Sequence, residues 1–307
     1  MRDTIPKSIS LKEKLKKCKG FEITNRINKF SLTYYIFNKN FEDLTTIIKK
    51  QTEPKNSMRL REFDNKKEFE ELQFETIRLL HNYISSVLSL IDHTRVFVRE
   101  LYSDNQSFAV EYQKKVTNTF TSNPLCVFVI SFRQYIQHYQ TPIISTVSNL
   151  TDDPELLNTR ITISKEQLLD FSGWKSHAKN YIANLDKELD VLRIIEEYNE
   201  IIKEFYRWFQ ERQREIHKPE FEEMRKINIK MLDAQIEELI FCYINYEECK
   251  TQYFFRELTR YMSDIEKKVF MDSTKKDQLN HIYSIAEKKK IHLTKKQKTS
   301  LKIKYSR

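Results

Sequence analysis

Glycine is nearly missing from this sequence of 307 residues, where only Gly20 and Gly173 occur. Phosphate-binding loops of the G-x-x-x-x-G-K type need two closely spaced glycines, so this class of nucleotide site is excluded. The low content of glycine and proline also disfavours turn-rich, all-β architectures. The remaining composition, with 39% hydrophobic and 32% charged residues, is that of a folded protein.

Cysteine is also scarce, and its spacing suits neither a metal site nor a disulfide framework. The four cysteines form no C-x-x-C pair, and Cys242 and Cys249 are expected two turns apart on one helix face, too far for a disulfide. We therefore expect no metal, no cofactor and a reducing, cytoplasmic environment. The longest apolar run, LCVFVISF at 125–132, is too short to span a bilayer, and the N-terminus lacks the apolar core of a secretion signal. No membrane partner is expected.

The net charge of +9 is concentrated near the C-terminus. Residues 288–307 contain nine Lys and Arg and no acid, and the rest of the chain holds 44 basic and 44 acidic residues. A basic end on a neutral body suits contact with nucleic acid or another polyanion. A solvated, frayed terminus is equally compatible with this sequence. The candidate nucleic-acid-binding side chains are Lys288, Lys289, Lys290, Lys295, Lys296 and Lys298.

Apolar residues at three- and four-residue spacing predict an all-α fold. A long helix is predicted from Asp64, with Asp64 or Asn65 as its cap. A second helix is predicted over about 106–121 and a third over about 124–140, with Pro124 at its first position. One side of the long helix carries a stripe of small or polar residues that either lines a site or faces solvent: Asn82, Ser85, Ser89 and Asp92.

Two segments depart from this helical pattern. Residues 143–163 alternate β-branched residues around a turn-rich middle, which predicts a small β-hairpin or extended excursion. Residues 21–41 mix β-branched and aromatic residues and are predicted to contain short strands. Helical spacing returns from Trp174 to His217, and again from Pro219 to about Tyr261.

These patterns divide the chain into four predicted regions. Residues 1–60 form an N-terminal extension, and residues 61–217 form a helical domain. Residues 218–287 form a long helical C-terminal arm, either a bundle helix or one arm of a coiled coil. Residues 288–307 form the basic tail.

Charge is almost absent from one segment, and the exception is the best functional signal in the sequence. From Val116 to Thr151 there is no Lys, Asp or Glu, and Arg133 is the only Arg; His138 follows five residues later. A guanidinium stays protonated in such surroundings, so Arg133 must be paired, solvated in a cleft or available to an anion. The structural alternative is an ion pair with a carboxylate of another helix, with His138 bonded to a backbone carbonyl.

The spacing alone is not specific, because R-x4-H occurs a second time at Arg212 and His217. That copy lies in a segment rich in Glu and Arg, typical of a solvated helix face. The surroundings of Arg133 therefore decide its interpretation.

The segment FRQYIQHYQTP, residues 132–142, resembles the signature of the HEPN superfamily, small all-α domains marked by an Arg and a His four to six residues apart. Many members carry Asn, Asp or His directly after the Arg, where this chain has Gln134. The resemblance covers roughly residues 64–142 and extends more loosely over 143–217.

The resemblance implies a HEPN-type helical bundle and a metal-independent endoribonuclease, often a toxin or antiviral effector, with one site formed across a homodimer. Arg133 would bind the scissile phosphate, and His138 would transfer protons as the RNA 2′-hydroxyl attacks, giving a 2′,3′-cyclic phosphate. Gln134 would orient the phosphate or His138, with Asn82 and Asp92 as further auxiliary candidates. An antitoxin or regulatory partner is possible. The alternative is a non-catalytic helical scaffold or nucleic-acid-binding protein that uses its basic tail.

Overall fold

The computed structural model describes residues 6–149 and 157–306. Within these ranges the chain forms fourteen α-helices and one three-stranded sheet, which confirms the predicted all-α fold with a small β excursion. The chain divides into two compact units. Residues Asn25–Glu215 form the central unit, and Met1–Thr24 together with Ile216–Arg307 form the terminal unit.

The elements follow one another with short connections. Up to the sheet, the helices are α1 (Lys7–Lys17), α2 (Lys19–Thr52), α3 (Pro54–Arg59), α4 (Lys66–Tyr102), α5 (Gln106–Val116) and α6 (Pro124–His138). The sheet region contains β1 (Ser145–Asn149), β2 (Asn158–Ser164), α7 (Lys165–Leu169), α8 (Ser176–Ala183) and β3 (Glu188–Asp190). The remaining helices are α9 (Val191–Ile216), α10 (Lys218–Asn245), α11 (Thr251–Leu258), α12 (Asp264–Asp272), α13 (Lys275–Lys288) and α14 (Lys295–Ser306).

The core of the central unit is strongly aromatic. Phe30 of α2 lies 5.3 Å from Phe97 of α4 and 5.7 Å from Tyr206 of α9, measured between ring centroids. Phe209 of α9 contacts the same group, 5.9 Å from Phe97. Tilted and edge-to-face rings at these separations attract each other beyond the burial of their area, so α2, α4 and α9 are held together by side chains from all three helices.

The strands predicted within residues 21–41 are wrong, because this segment lies in the 34-residue helix α2. Four of its buried apolar residues are spaced seven positions apart: Ile23, Phe30, Phe37 and Leu44. Seven residues make about two helical turns, so these side chains share one face. Packing of that face outweighs the β preference of the intervening residues.

The predicted hairpin is present. Strand β1 pairs antiparallel with β2, with Ser145 opposite Thr162, and the connection over 150–156 lies outside the described residues. A third strand, β3, joins the other edge of β2 with Thr162 opposite Asp190. This strand interrupts the segment from Trp174 to His217, which was predicted to be helical throughout.

The terminal unit has its own apolar core. Helix α10 ends at Asn245 and not near Tyr261, and α11 to α14 follow it. Phe254, Phe270, Ile282 and Leu301 are buried in this core, each from a different helix. The C-terminal basic segment is therefore not frayed over residues 295–306, because Leu301 and Tyr305 attach α14 to the core.

The structure also gives the positions of two cysteines and bears on the prediction that no segment spans a membrane. Cys249 lies beyond the end of α10, and not two turns along it from Cys242 as expected. Burial and the neighbouring Cys242 thiol raise the pKa of Cys249 to about 11, and both cysteines are free. Within the described ranges, no helix is both long and apolar enough to cross a membrane.

Candidate functional site

Helix α6 carries the charge-poor motif, and its start is as predicted. The Asn123 side chain accepts hydrogen bonds from the backbone N–H groups of Leu125 and Cys126, and Pro124 occupies the first turn. One face of α6 is buried against α4 and α8. Phe128 and Tyr135 are completely covered on that face. The polar residues of the second half are left on the other side of the helix.

Arg133 has no acidic partner among the residues that the structure describes. Its side chain is partly buried, its Nε is enclosed without a hydrogen-bond partner, and no salt bridge joins it to any carboxylate of the described residues. A buried guanidinium nitrogen that makes no hydrogen bond is costly, because the group cannot lose its proton. The ion-paired alternative is therefore not observed within residues 6–149 and 157–306.

His138, the last residue of α6, is exposed, as are Gln134 and Gln137. Five residues along a helix correspond to a rotation of about 140° and a rise of about 7.5 Å. Arg133 and His138 therefore lie at the two edges of one open strip, with Gln134 and Gln137 between them. The strip thus carries a cation, two amides and an imidazole.

The polar stripe on α4 meets this strip at one point. The Gln137 amide Nε2 donates a hydrogen bond to Ser85 Oγ at 3.3 Å. Asn82, one turn earlier on α4, is partly buried and lies on the same side as Ser85. The sequence analysis did not assign Gln137 to the site. Gln137 follows Arg133 by four residues, which makes the two side chains neighbours on the helix surface, and this spacing was the signal that could have identified it.

Asp92 is not brought to the motif. It lies seven residues beyond Ser85 on α4, about 10 Å along the helix axis, and forms an exposed 3.2 Å salt bridge with Arg95. Ser89, between them, donates to the Ser85 carbonyl of its own helix. The stripe therefore divides into a part beside α6, with Asn82 and Ser85, and a part that is ordinary solvated helix surface.

The second R-x4-H copy has the opposite environment at both positions. Arg212 Nε and Nη2 each donate to a carboxylate oxygen of Glu111 at 2.8 Å, so this guanidinium is already occupied. His217 is 6% exposed, and burial lowers its pKa. The two copies therefore share a spacing but differ in their surroundings. In one copy Arg212 is ion-paired and His217 is buried, whereas in the other Arg133 has no acidic partner in the described residues and His138 is exposed.

The candidate lysines occupy two settings. Lys289 Nζ forms a 2.8 Å salt bridge with Asp233, which neutralises part of its charge. The other five are exposed, two at the end of α13 and three on the first turn of α14: Lys288, Lys290, Lys295, Lys296 and Lys298. Because α14 is attached to the core, its lysines form a fixed basic surface.

Comparison with known proteins adds no relative. The chain matches no protein-family model, and no curated protein or solved structure is significantly similar to it. Across the part of the chain that the structure describes, no group of three or more His, Cys, Asp or Glu side chains could hold a metal ion. The candidate site therefore consists of four residues of α6 and two residues of α4 beside them: Arg133, Gln134, Gln137 and His138, and Ser85 and Asn82.

Proposed function

We propose that this protein is a metal-independent endoribonuclease of the HEPN type that acts on RNA through Arg133 and His138. The observation that carries the proposal is the unpaired, partly enclosed guanidinium of Arg133 on the same open strip as the exposed imidazole of His138. A phosphodiester would provide acceptors for the Nη groups of Arg133, which make no hydrogen bond within the described residues. An imidazole is the side chain that ordinarily exchanges protons near neutral pH.

In the proposed reaction, the RNA 2′-oxygen forms a bond to the adjacent phosphorus while the bond from phosphorus to the 5′-oxygen breaks. The 2′-hydroxyl loses a proton and the leaving 5′-oxygen gains one, and His138 takes part in this transfer. Arg133 stabilises the negative charge that develops on the phosphoryl oxygens. Gln134 and Gln137 orient the phosphate. The products are a 2′,3′-cyclic phosphate and a 5′-hydroxyl, so neither an oxidant nor an external nucleophile is needed.

A homodimer belongs to the same proposal, since two copies of the strip would surround one phosphate. Exposed apolar side chains lie directly after the motif, with Tyr139 at 48% and Ile143 at 70% exposure. We assign these two side chains to the proposed contact between the copies. We further propose that the enzyme acts in the cytoplasm as a toxin or antiviral effector under the control of an antitoxin or regulatory partner.

The test is RNA cleavage by the full-length protein in the presence of EDTA, with the end groups of the products determined. Arg133→Ala and His138→Ala should each lower the rate by at least a hundredfold, whereas Arg212→Ala, the matched copy of the motif, should leave it unchanged. Equal cleavage by all four proteins would end the proposal.

The basic surface of α13 and α14 favours a second candidate function, binding of nucleic acid without cleavage. Its lysines are held on a docked helix, which suits contact with a phosphate backbone. If the parent protein shifts RNA in a gel without cutting it, and Lys295→Glu with Lys296→Glu abolishes the shift, this second function is the correct one.

A further inference from the structure

The central unit contains a cavity of about 370 Å³ that the proposed nuclease site does not use. It is bordered by α4, α5, α6, α9 and the start of α8, and Arg133 and His138 are not among the residues that line it. Natural small-molecule pockets begin at about 300 Å³, so the space suits a small ligand. The inner wall is mainly aliphatic and aromatic, with Ile91, Val116, Phe120, Ile130, Ile202 and Phe205.

The mouth of this cavity is cationic. Arg95 of α4 and Lys175, which directly precedes α8, carry this charge; His177 of α8 lines the cavity as well, and all three residues are exposed. Arg95 is bonded to Asp92 through Nη1, which leaves its other N–H donors available. A wall of hydrocarbon with a positively charged entrance is complementary to an amphipathic anion.

The first turn of α8 provides backbone donors close to these residues. Lys175 is the N-cap residue of the eight-residue helix α8, and its side chain makes no capping hydrogen bond. The first-turn N–H groups of Ser176 and His177 thus lack a side-chain acceptor, and helix N-termini attract anions. Both residues line the cavity.

An independent observation comes from Ser131 of α6, which packs against α8. Ser131 is only 2% exposed, it lines the cavity, and its Oγ has no hydrogen-bond partner. The hydroxyls of Thr94 and Tyr206 also line the cavity, but they bond to each other at 2.5 Å. A buried hydroxyl without a partner is unfavourable, and a ligand oxygen would satisfy it.

The wall itself contains a departure from regular helix. Residues Thr117–Thr121 continue α5 as a π-turn, with the Ser122 N–H bonded to the Thr117 carbonyl at 3.1 Å. Phe120 and Thr121 of this turn line the cavity. Such turns are rare and occur frequently at functional sites.

We infer that this cavity binds a medium-chain aliphatic carboxylate. The chain occupies the apolar interior, and the carboxylate accepts hydrogen bonds from Ser131 and from the first turn of α8, between Lys175 and Arg95. This inference goes beyond the nuclease proposal and does not depend on it.

Titration calorimetry of the full-length protein with decanoate, below its micelle concentration, tests the inference. Decanoate should bind with one site per chain. Acetate provides the head group alone, decanol the chain alone, and decylamine the chain with the opposite charge. Each should bind at least tenfold more weakly. Absence of decanoate binding, or equal binding of decanol or decylamine, would overturn the inference.

Variants locate the binding site. Lys175→Glu at the mouth should weaken decanoate binding at least tenfold, and Ile130→Trp should fill the cavity and abolish it. Lys179→Glu is the matched control, because Lys179 is exposed one turn later on α8 and does not line the cavity. Equal losses in Lys175→Glu and Lys179→Glu would show an effect of general surface charge and reject the site. If Ile130→Trp does not fold, the head-group series with the parent protein still decides.

Discussion

Arg212 is joined to Glu111 by two parallel hydrogen bonds of 2.8 Å, whereas Arg133, the corresponding Arg of the other R-x4-H segment, has no acidic partner in the described residues. Glu111 also raises the pKa of Arg212. The two segments share a spacing but not an environment. Their difference gives a direct comparison between an ion-paired arginine and the arginine that the proposed function assigns to ligand binding.

This comparison makes a stability prediction. Arg212→Ala should lower the free energy of unfolding by about 1 kcal/mol or less, because the pair is bidentate but partly exposed to solvent. Arg133→Ala should leave the free energy of unfolding unchanged or slightly higher, because no ion pair is lost and an enclosed nitrogen without a hydrogen-bond partner is removed. Urea titration of the two variants measures both values. A clear loss in Arg133→Ala and none in Arg212→Ala would contradict the assignment of roles.

Gly20 of α2 lies close to the backbone of α10 in the terminal unit. A Cβ atom on Gly20 would lie 2.3 Å from the Glu220 carbonyl oxygen and 2.9 Å from Met224 Cβ. We expect Gly20→Ala to destabilise the protein by about 1–3 kcal/mol, the cost of an overpacked contact. Helix propensity alone predicts that Gly20→Ala raises the free energy of unfolding by about 1 kcal/mol. A decrease would therefore identify the close contact with α10 as the cause.

Thermal unfolding measures this effect, and Gly173→Ala is its control. At Gly173 the obstacle to a Cβ atom is the ring of Phe171, which can move more easily than a helix backbone. A smaller loss is expected there. A stabilised Gly20→Ala protein would show that the two helices do not approach so closely.

Lys290 closes helix α13 in a conformation that normally belongs to glycine. Its φ is 56°, the Ile291 N–H bonds to the Ala286 carbonyl at 2.8 Å, and the Lys290 N–H bonds to the Glu287 carbonyl at 2.9 Å. This is the Schellman arrangement, in which the left-handed residue is usually Gly.

Lys290→Gly should therefore raise the free energy of unfolding by about 0.5–1 kcal/mol, because the steric strain on Cβ disappears and exceeds the added freedom of the unfolded chain. Lys290→Ala removes the same charge but keeps Cβ, so it should not stabilise the protein. Chemical denaturation of both variants separates strain from charge. Equal effects of the two substitutions would refute this explanation.

The sequence was sufficient for elements that are defined locally. Asn123 and Pro124 predicted the start of α6 because capping depends on adjacent residues, and the alternation in 143–163 predicted the hairpin. Helix α2 was missed because its interior is rich in β-branched and aromatic residues. Its seven-residue repeat was visible in the sequence, but its meaning depends on the partners that bury it.

The candidate site shows the same limit. The sequence identified Arg133 as unusual because the residues around it are uncharged. Whether it has an acidic partner depends on which helices surround α6, which the sequence does not give. The cavity beside Ser131 is formed by side chains from α4, α5, α6, α8 and α9, and no sequence pattern brings these together. Asp92 shared the spacing of the stripe and yet lies outside the site, because this part of α4 lies toward the start of α6, where Arg95 and Val127 line the same cavity, and not beside the motif.

His217 makes the stability of the fold depend on pH. Burial lowers its pKa below the ordinary 6.5, against an opposing effect of Glu220. The unfolded chain therefore binds more protons than the folded chain as the pH falls below about 6.5, so the stability that His217 contributes is present above that pH and decreases below it.

Replacement of His217 by Gln removes the titrating group. Thermal unfolding between pH 7.5 and pH 5.5 should show a decrease in Tm for the parent protein and a smaller decrease for His217→Gln. Glu13, Glu68, Glu75 and Glu266 have pKa values lowered below 4.5 by hydrogen bonds, so their titration lies outside this interval. The same pH slope in both proteins would mean that His217 is not the group responsible.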